Sequence, residues 1–240
     1  MKYLYIVVLA ALIYVLFPHS PEKERHLFIL SGQSNMDGVK QNFSFAPRVR
    51  AAFGYGNVLV VKDSQGGKPI RHWYKKWGVG QSDQNEVGGL YDRLMKKVKA
   101  ETKGMSFTTV TFVWMQGERD ASEKQGEVYA ASLRGLIDQL AKDLGCVDVN
   151  FVIGRLSDFN MDNKISPHWT MVREAQVKVA ESDPYGAWID TDDLNDGINE
   201  DGIQIKNDLH YSVEGYKLLG KRFAEKSIEL IQRNAHQCAY

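Results

Sequence analysis

Five short apolar runs alternate with helical stretches along this chain, and that rhythm constrains the fold more than any other feature. The runs are Leu27 to Leu30, Val58 to Val61, Val110 to Trp114, Asn150 to Ile153 and Ala187 to Ile189. Short runs with little polar alternation read as strands buried on both faces, and the helical stretches between them imply βα units in a mostly parallel sheet. One helix is expected from the Ser122-Glu123-Lys124-Gln125 capping-box pattern, with Leu133, Leu136, Ile137, Leu140 and Leu144 at helical spacing and Gly145 as its stop. A second is expected after Ser166-Pro167, carrying Trp169, Val172, Gln176 and Val179 as far as Asp183-Pro184. A third starts near Ser212 and carries Tyr216, Leu219, Phe223 and Leu230. Residues 35–57 and 63–85, rich in Gly, Asn, Gln and aromatic residues, read as long loops of the kind that carry function.

Thirty basic and thirty acidic side chains leave a formal charge of zero, so no global field draws in nucleic acid. After Lys2, Tyr3 to Phe17 form an uncharged run of fifteen residues, shorter than the roughly 20 that span a bilayer. That run reads as the core of a signal peptide or, since Pro18-His19-Ser20-Pro21 offers a poor cleavage site, as an uncleaved N-terminal membrane anchor. Both readings set residues 1–25 apart from a single domain over 26–240 and place that domain outside the cytoplasm: exported, whether free or membrane-anchored. About 215 residues suffice for one sizeable α/β core, and no repeat or low-complexity linker divides them. Outside the cytoplasm, Cys146 and Cys238 are free to pair; a buried Cys146 with a free Cys238 in the tail is the alternative.

Polar blocks follow the strand ends. Ser31-Gly32-Gln33-Ser34-Asn35-Met36 closes the first strand, Gly66-Gly67 the second and Gln116 the third, while His210 comes a loop after the fifth. Open parallel sheets bind ligands along their carboxyl edge, so these blocks converge in one cleft. Ser34 there is either a nucleophile or simply a helix cap. A nucleophilic serine needs a base; of six histidines, His19 lies in the leader, His26 opens a strand and His236 lies in the tail, which leaves His72, His168 and His210 as loop candidates. Met36 stands where the elbow Gly-x-Ser-x-Gly of the α/β-hydrolases has its second glycine, so that family does not fit. No dinucleotide fingerprint, phosphate loop or metal-ligand spacing appears, so no cofactor and no metal are expected.

The Ser-Gly-Gln-Ser-Asn-Met block resembles that of the sialate O-acetylesterase-like carbohydrate esterases, a branch of the SGNH-hydrolase superfamily. Three further blocks agree in order: Gly66-Gly67-Lys68-Pro69-Ile70 leading to Trp73, Trp114-Met115-Gln116-Gly117-Glu118-Arg119-Asp120, and Asp208-Leu209-His210 followed by Gly215. The resemblance implies a three-layer α/β/α sandwich, flavodoxin-like, with a five-stranded mostly parallel sheet. It implies a serine esterase that removes O-acetyl groups from a carbohydrate such as sialic acid, xylan or another acetylated polysaccharide, through an acetyl-Ser34 intermediate. An O-acetyltransferase and a catalytically impaired glycan-binding module are the alternatives. Ser34 is then nucleophile and His210 general base, while the backbone N–H groups of Ser34 and Gly67 and the Gln116 amide form the oxyanion hole. Gly66 is the alternative to Gly67. Gln33, Asn35 and Trp73 are expected to touch substrate, with Tyr74 and Trp77 as further stacking candidates. Glu118 and Asp120 are expected to hold the Gln116 loop by hydrogen bonds.

The chain departs from the family pattern at the acid. The family carries aspartate three residues before the histidine, whereas here that position is Asn207 and Asp208 stands two before His210. Three readings stay open: Asp208 orients the imidazole, Asn207 does so without charge, or the pair acts as a dyad.

Overall fold

The computed structural model describes residues 24–78, 87–234 and 238. The leader or anchor reading of the N-terminal run therefore lies outside the described residues. Five strands form the central sheet: β1 (His26–Gly32), β2 (Val58–Ser64), β3 (Thr109–Met115), β4 (Asn150–Gly154) and β5 (Gly186–Ile189). All four pairings are parallel and the order is β2-β1-β3-β4-β5. Every residue of β1, β3 and β4 is buried, as expected of strands covered on both faces.

The covering layers come from α1 (Ala46–Phe53), α2 (Gly89–Glu101), α3 (Gly126–Asp143), α4 (Trp169–Glu181) and α5 (Val213–Arg233). Helices α1 and α5 pack together, with α5 against β3, β4 and β5. On the other side α3 packs on α4, and both α2 and α3 meet the turn Ile70–His72. The expected sandwich is thus present. Helix α5 begins as its cap predicts: the Ser212 hydroxyl accepts from Gly215 N–H at 3.0 Å.

Two expectations are corrected and one element is added. Residues 35–57 are not a long loop: they hold one-turn helices at Ser34–Asp37 and Gln41–Ser44 and then α1, whose Ala46-Pro47 start favours a helix. Phe45, Ala46 and Val49 from this stretch are fully buried, so packing and not recognition explains its composition. The helix expected from Ser122 starts at Gly126, because Lys124 takes a left-handed backbone (φ 60°) that interrupts helical geometry after the short turn Glu118–Ser122. Helix α2 adds an element whose buried Tyr91, Leu94, Met95 and Val98 already show helical spacing in the sequence.

Cys146 and Cys238 are joined, with Cα atoms 4.7 Å apart and a sequence separation of 92. The Cys238 N–H donates to Thr108 O at 3.1 Å, so the bridge fastens the tail beside the start of β3. The chain-entropy account assigns a bridge over a loop of this size on the order of 4 kcal/mol. Among the described residues, no helix is long and apolar enough to cross a membrane.

Candidate active site

Strand β1 stands between β2 on one side and β3 on the other, so the order in which successive strands are added reverses across its carboxyl end. Crevices form at such points. Gly32 ends β1 at φ 146°, a conformation unfavourable to any residue with a Cβ, and an added Cβ would lie 1.9 Å from Met115 O. This close approach lets the Gln33 N–H donate to Met115 O at 2.9 Å and turns the chain into the helix Ser34–Asp37. Ser34 is left half-buried at the start of that turn. From β2, the Lys62 ammonium donates to Asp37 O at 2.9 Å and Val39 O at 2.7 Å, fixing the far end of the turn. Burial pulls the Lys62 pKa down to about 8, with Asp37 opposing.

His210 arrives from the opposite flank. After β5 the chain forms a small antiparallel ribbon, β6 (Gly197–Ile198) with β7 (Gln204–Ile205), and then a loop into α5. The His210 Nε2 lies 3.0 Å from Ser34 Oγ, across 176 residues of sequence. With the ring neutral and its proton on Nδ1, the serine hydroxyl donates to Nε2, the arrangement that general-base activation requires.

The acid behaves differently from all but one reading. The Asp208 carboxylate accepts from the backbone N–H of His210 at 2.9 Å and not from its ring. Asn207 sits at φ 47°; its N–H donates to Asp196 Oδ1 at 2.6 Å and its side-chain oxygen accepts from Asn195 at 3.3 Å. Among the described residues, neither side chain hydrogen-bonds the imidazole. Asp208 as the ring-orienting member is therefore corrected to a backbone anchor, a consequence of standing two residues before the histidine. The rival histidines sit elsewhere: His72 is buried, and His168 Nδ1 accepts from Gly126 N–H at 3.1 Å at the start of α3.

The Gly66-Gly67 turn lies over Ser34. A Cβ on Gly66 would be 3.7 Å from Ser34 Cβ, while Gly67, at φ 67°, would carry its Cβ into open space. Among the described residues, the N–H groups of Ser34 and Gly67 make no hydrogen bond to the rest of the chain. Both remain available to an oxyanion.

Gln116 does not. It is fully buried, and its amide nitrogen donates to Asp120 Oδ2 at 2.5 Å and reaches Lys68 O and Gln33 Oε1, each at 3.3 Å. With both amide hydrogens engaged, the expected oxyanion donor is corrected to a brace that ties β3 to the glycine turn. Asp120 completes the brace by accepting from Ile70 N–H at 2.9 Å. Burial lifts the Asp120 pKa to about 6, against hydrogen bonds from Gln116 and Ile70 that lower it. Glu118 is lifted to about 7 by burial, opposed by hydrogen bonds that include the one from Asn35. Both carboxyl groups therefore hold the loop, as expected from the sequence.

The three expected substrate contacts are also corrected, and for one reason: all are buried. Gln33 is 3% exposed, with Oε1 accepting from Gln116 and from Arg119 N–H. Asn35 is 1% exposed and turns inward to Glu118, Leu209 and Tyr216. Trp73 is fully buried and packs edge-to-face on Trp114 with ring centroids 5.2 Å apart. Trp77 is buried as well. The positions sequence reasoning missed are Asp208 as a backbone anchor and Lys62 as a clamp. Neither stands at a distinctive spacing.

A doubly flanked parallel sheet that sets a serine against a histidine at its carboxyl edge defines the class: an SGNH-type hydrolase. The family of carbohydrate esterases described as sialic acid-specific acetylesterases matches residues 37–229, which take in the glycine, glutamine and histidine blocks and start just after Ser34. The chain belongs to this family and is a hydrolase acting on ester bonds. Similar solved structures include a protein from Arabidopsis thaliana, 20% identical with a TM-score of 0.63, covering 86% of this chain and 98% of its own. A carbohydrate acetylesterase from Xanthomonas citri is 17% identical with a TM-score of 0.65, over 87% of this chain and 57% of that longer one. NanS is 12% identical with a TM-score of 0.59, over 88% of this chain and 99% of its own. At these identities the likenesses show the fold alone. No curated protein matches the chain significantly in sequence.

Proposed function

We propose that this chain removes O-acetyl groups from a carbohydrate by a Ser34–His210 dyad whose histidine is held through its backbone. The observation that carries this is the 3.0 Å contact between His210 Nε2 and Ser34 Oγ at the switch point of the sheet. In the proposed cycle His210 Nε2 takes the Ser34 proton as Oγ attacks the acetyl carbonyl. The N–H groups of Ser34 and Gly67 receive the developing oxyanion. As the bond between the acetyl carbonyl carbon and the sugar oxygen breaks, the imidazolium gives the proton to the departing sugar oxygen, leaving acetyl-Ser34. Water then attacks the acetyl carbon with His210 again as base, the acetyl carbon–Oγ bond breaks as the imidazolium returns the proton to Ser34 Oγ, and acetate leaves. Family membership supports the acetylated carbohydrate as substrate. The experiment is an acetate-release screen over O-acetylated sialic acid, xylan and further acetylated polysaccharides, with Ser34→Ala alongside. Release from at least one glycan, absent in the variant, is expected; no release from any, with Ser34 unreactive toward an organophosphonate, overturns the reading.

We also infer that residues 26–240 act as one exported domain behind the N-terminal segment, released or membrane-anchored. The apolar run Tyr3 to Phe17 and the joined Cys146 and Cys238 support this, since disulfides persist outside the reducing cytoplasm. Thiol titration of the denatured protein from its native compartment should find no free thiol; two free thiols would remove the inference.

A further inference from the structure

His210 is exposed, and among the described residues no carboxylate orients its ring, yet its Nε2 stays 3.0 Å from Ser34 Oγ. The backbone on either side of it carries the restraint. Asp208 accepts from the His210 N–H, and the Asn35 side chain donates to Leu209 O at 3.1 Å. Asn35 is the residue after the nucleophile, so one side chain joins the two halves of the pair. Its orientation follows from chemistry: Leu209 O can only accept, so the amide nitrogen must face it. The amide oxygen then takes the Tyr216 hydroxyl of α5 at 3.0 Å, and the remaining N–H goes to Glu118 Oε1 at 2.8 Å.

Glu118 is the unusual member. It is 5% exposed, its Oε2 has no hydrogen-bond partner among the described residues, and its carboxyl group carries the desolvation cost of that environment. An apolar residue there would relieve the cost. What only a hydrogen-bond acceptor supplies is the contact to Asn35.

We propose that Glu118 is a positioning residue: acting through Asn35, it holds the Leu209–His210 backbone against the Ser34 turn, the task a carboxylate on the ring performs in a full triad. This rests on Ser34 and His210 being the reacting pair. The chain of contacts runs from the end of β3 through Asn35 to the histidine loop and joins segments that share no strand. Misplacement by about 1 Å of groups that must meet in line costs up to about a hundredfold in rate.

The test compares Glu118→Leu, Glu118→Gln, Asn35→Ala and the double variant Glu118→Leu/Asn35→Ala. The readouts are the rate constant for phosphonylation of Ser34, and kcat and KM on p-nitrophenyl acetate, each per active site titrated by the phosphonate. Glu118→Leu is expected to lower the phosphonylation rate and kcat at least about thirtyfold with KM within about twofold. Glu118→Gln keeps an acceptor oxygen and should fall between it and the parent protein. The double variant should be no slower than about threefold below Asn35→Ala, because the two residues act in series. Where Glu118→Leu does not fold, Glu118→Gln and Tyr216→Phe, which removes the donor to Asn35, should each lower kcat severalfold. A merely structural role predicts a lower melting temperature with an unchanged rate per titrated site, and that result, or additive losses in the double variant, overturns the proposal. An active Ser34→Ala protein overturns the reacting pair as well; an inactive one beside an unaffected Glu118→Leu overturns only the positioning role.

Discussion

The two halves of the catalytic pair are held by different physics. Ser34 stands at the end of a fully buried strand, with Gly32 against the Met115 backbone and Met36 fully buried just beyond. His210 is exposed, on a loop outside the five-stranded sheet, tethered by Asp208 N–H to Asn195 O at 3.2 Å, Ser212 N–H to Leu194 O at 3.0 Å, and the contacts of Asn35 and Asp208. Core packing therefore places the nucleophile, whereas individual polar bonds place the base. Changes at the first should act on folding unless they remove only the hydroxyl, and changes at the second should act on rate.

The sharpest break is Ser34→Ala, which removes chemistry from the packed side without touching its packing. Turnover should fall by about 10⁴-fold or more while the melting temperature stays within a few degrees. Residual activity above about a tenth would sink the nucleophile. Next comes the packing itself. Gly32→Ala should cost roughly 4 kcal/mol or more, since its Cβ would meet the Met115 carbonyl at 1.9 Å, whereas Gly202→Ala on the ribbon of the histidine side, at φ 77° with open space around it, should cost only about 1 kcal/mol. Comparable urea midpoints for the two variants would erase the contrast.

Between the two halves lies Glu118, and it gives a pH signature. Its pKa, raised by burial from 4.5 to about 7, means that the folded chain binds this proton more tightly than the unfolded chain. Its contribution is therefore fullest below about pH 4.5 and is lost as pH rises through about 7. Relative to the parent protein, Glu118→Gln should thus gain stability between pH 5 and pH 8, by on the order of 3 kcal/mol at most. A difference independent of pH would show that the carboxyl group is not buried as described. The smallest effect concerns the histidine tether. Asp208→Ala should lower kcat by about tenfold, near 1.4 kcal/mol, with little change in KM, while Asn207→Ala leaves the rate within about threefold and costs about 1 kcal/mol of stability at its left-handed backbone. Equal rate effects from the two would refute the backbone anchor.

The same division explains what could be read in advance. All five strands and the α5 cap were legible, because apolar runs and cap residues are local signals whose meaning the parallel sheet preserves, and the Ser34–His210 pairing was legible through the blocks that carry the family resemblance. Residues 35–57 misread as loop because their polar and aromatic composition hides a short helical turn sequence whose apolar members, Phe45, Ala46 and Val49, all face the core. Gln33, Asn35 and Trp73 misread as substrate contacts because proximity in sequence to a nucleophile says nothing of which way a side chain points. Gln116 misread as an oxyanion donor because its amide hydrogens are claimed by Asp120, Lys68 and Gln33, partners far from it or on another turn.

By itself the sequence determined the class of fold, the edge of the sheet that carries the site, and the serine and histidine that meet there. Hydrophobic periodicity and parallel topology bring about the first two without reference to any single contact, and the ordered blocks of the family resemblance single out the serine and the histidine. The tertiary structure alone decided that Cys146 meets Cys238, that Asp208 anchors a backbone and not a ring, and that Asn35 and Glu118 lie beneath the pair. Those outcomes depend on side-chain direction and on distances of a few ångströms between segments that folding brings together, and no local pattern encodes them.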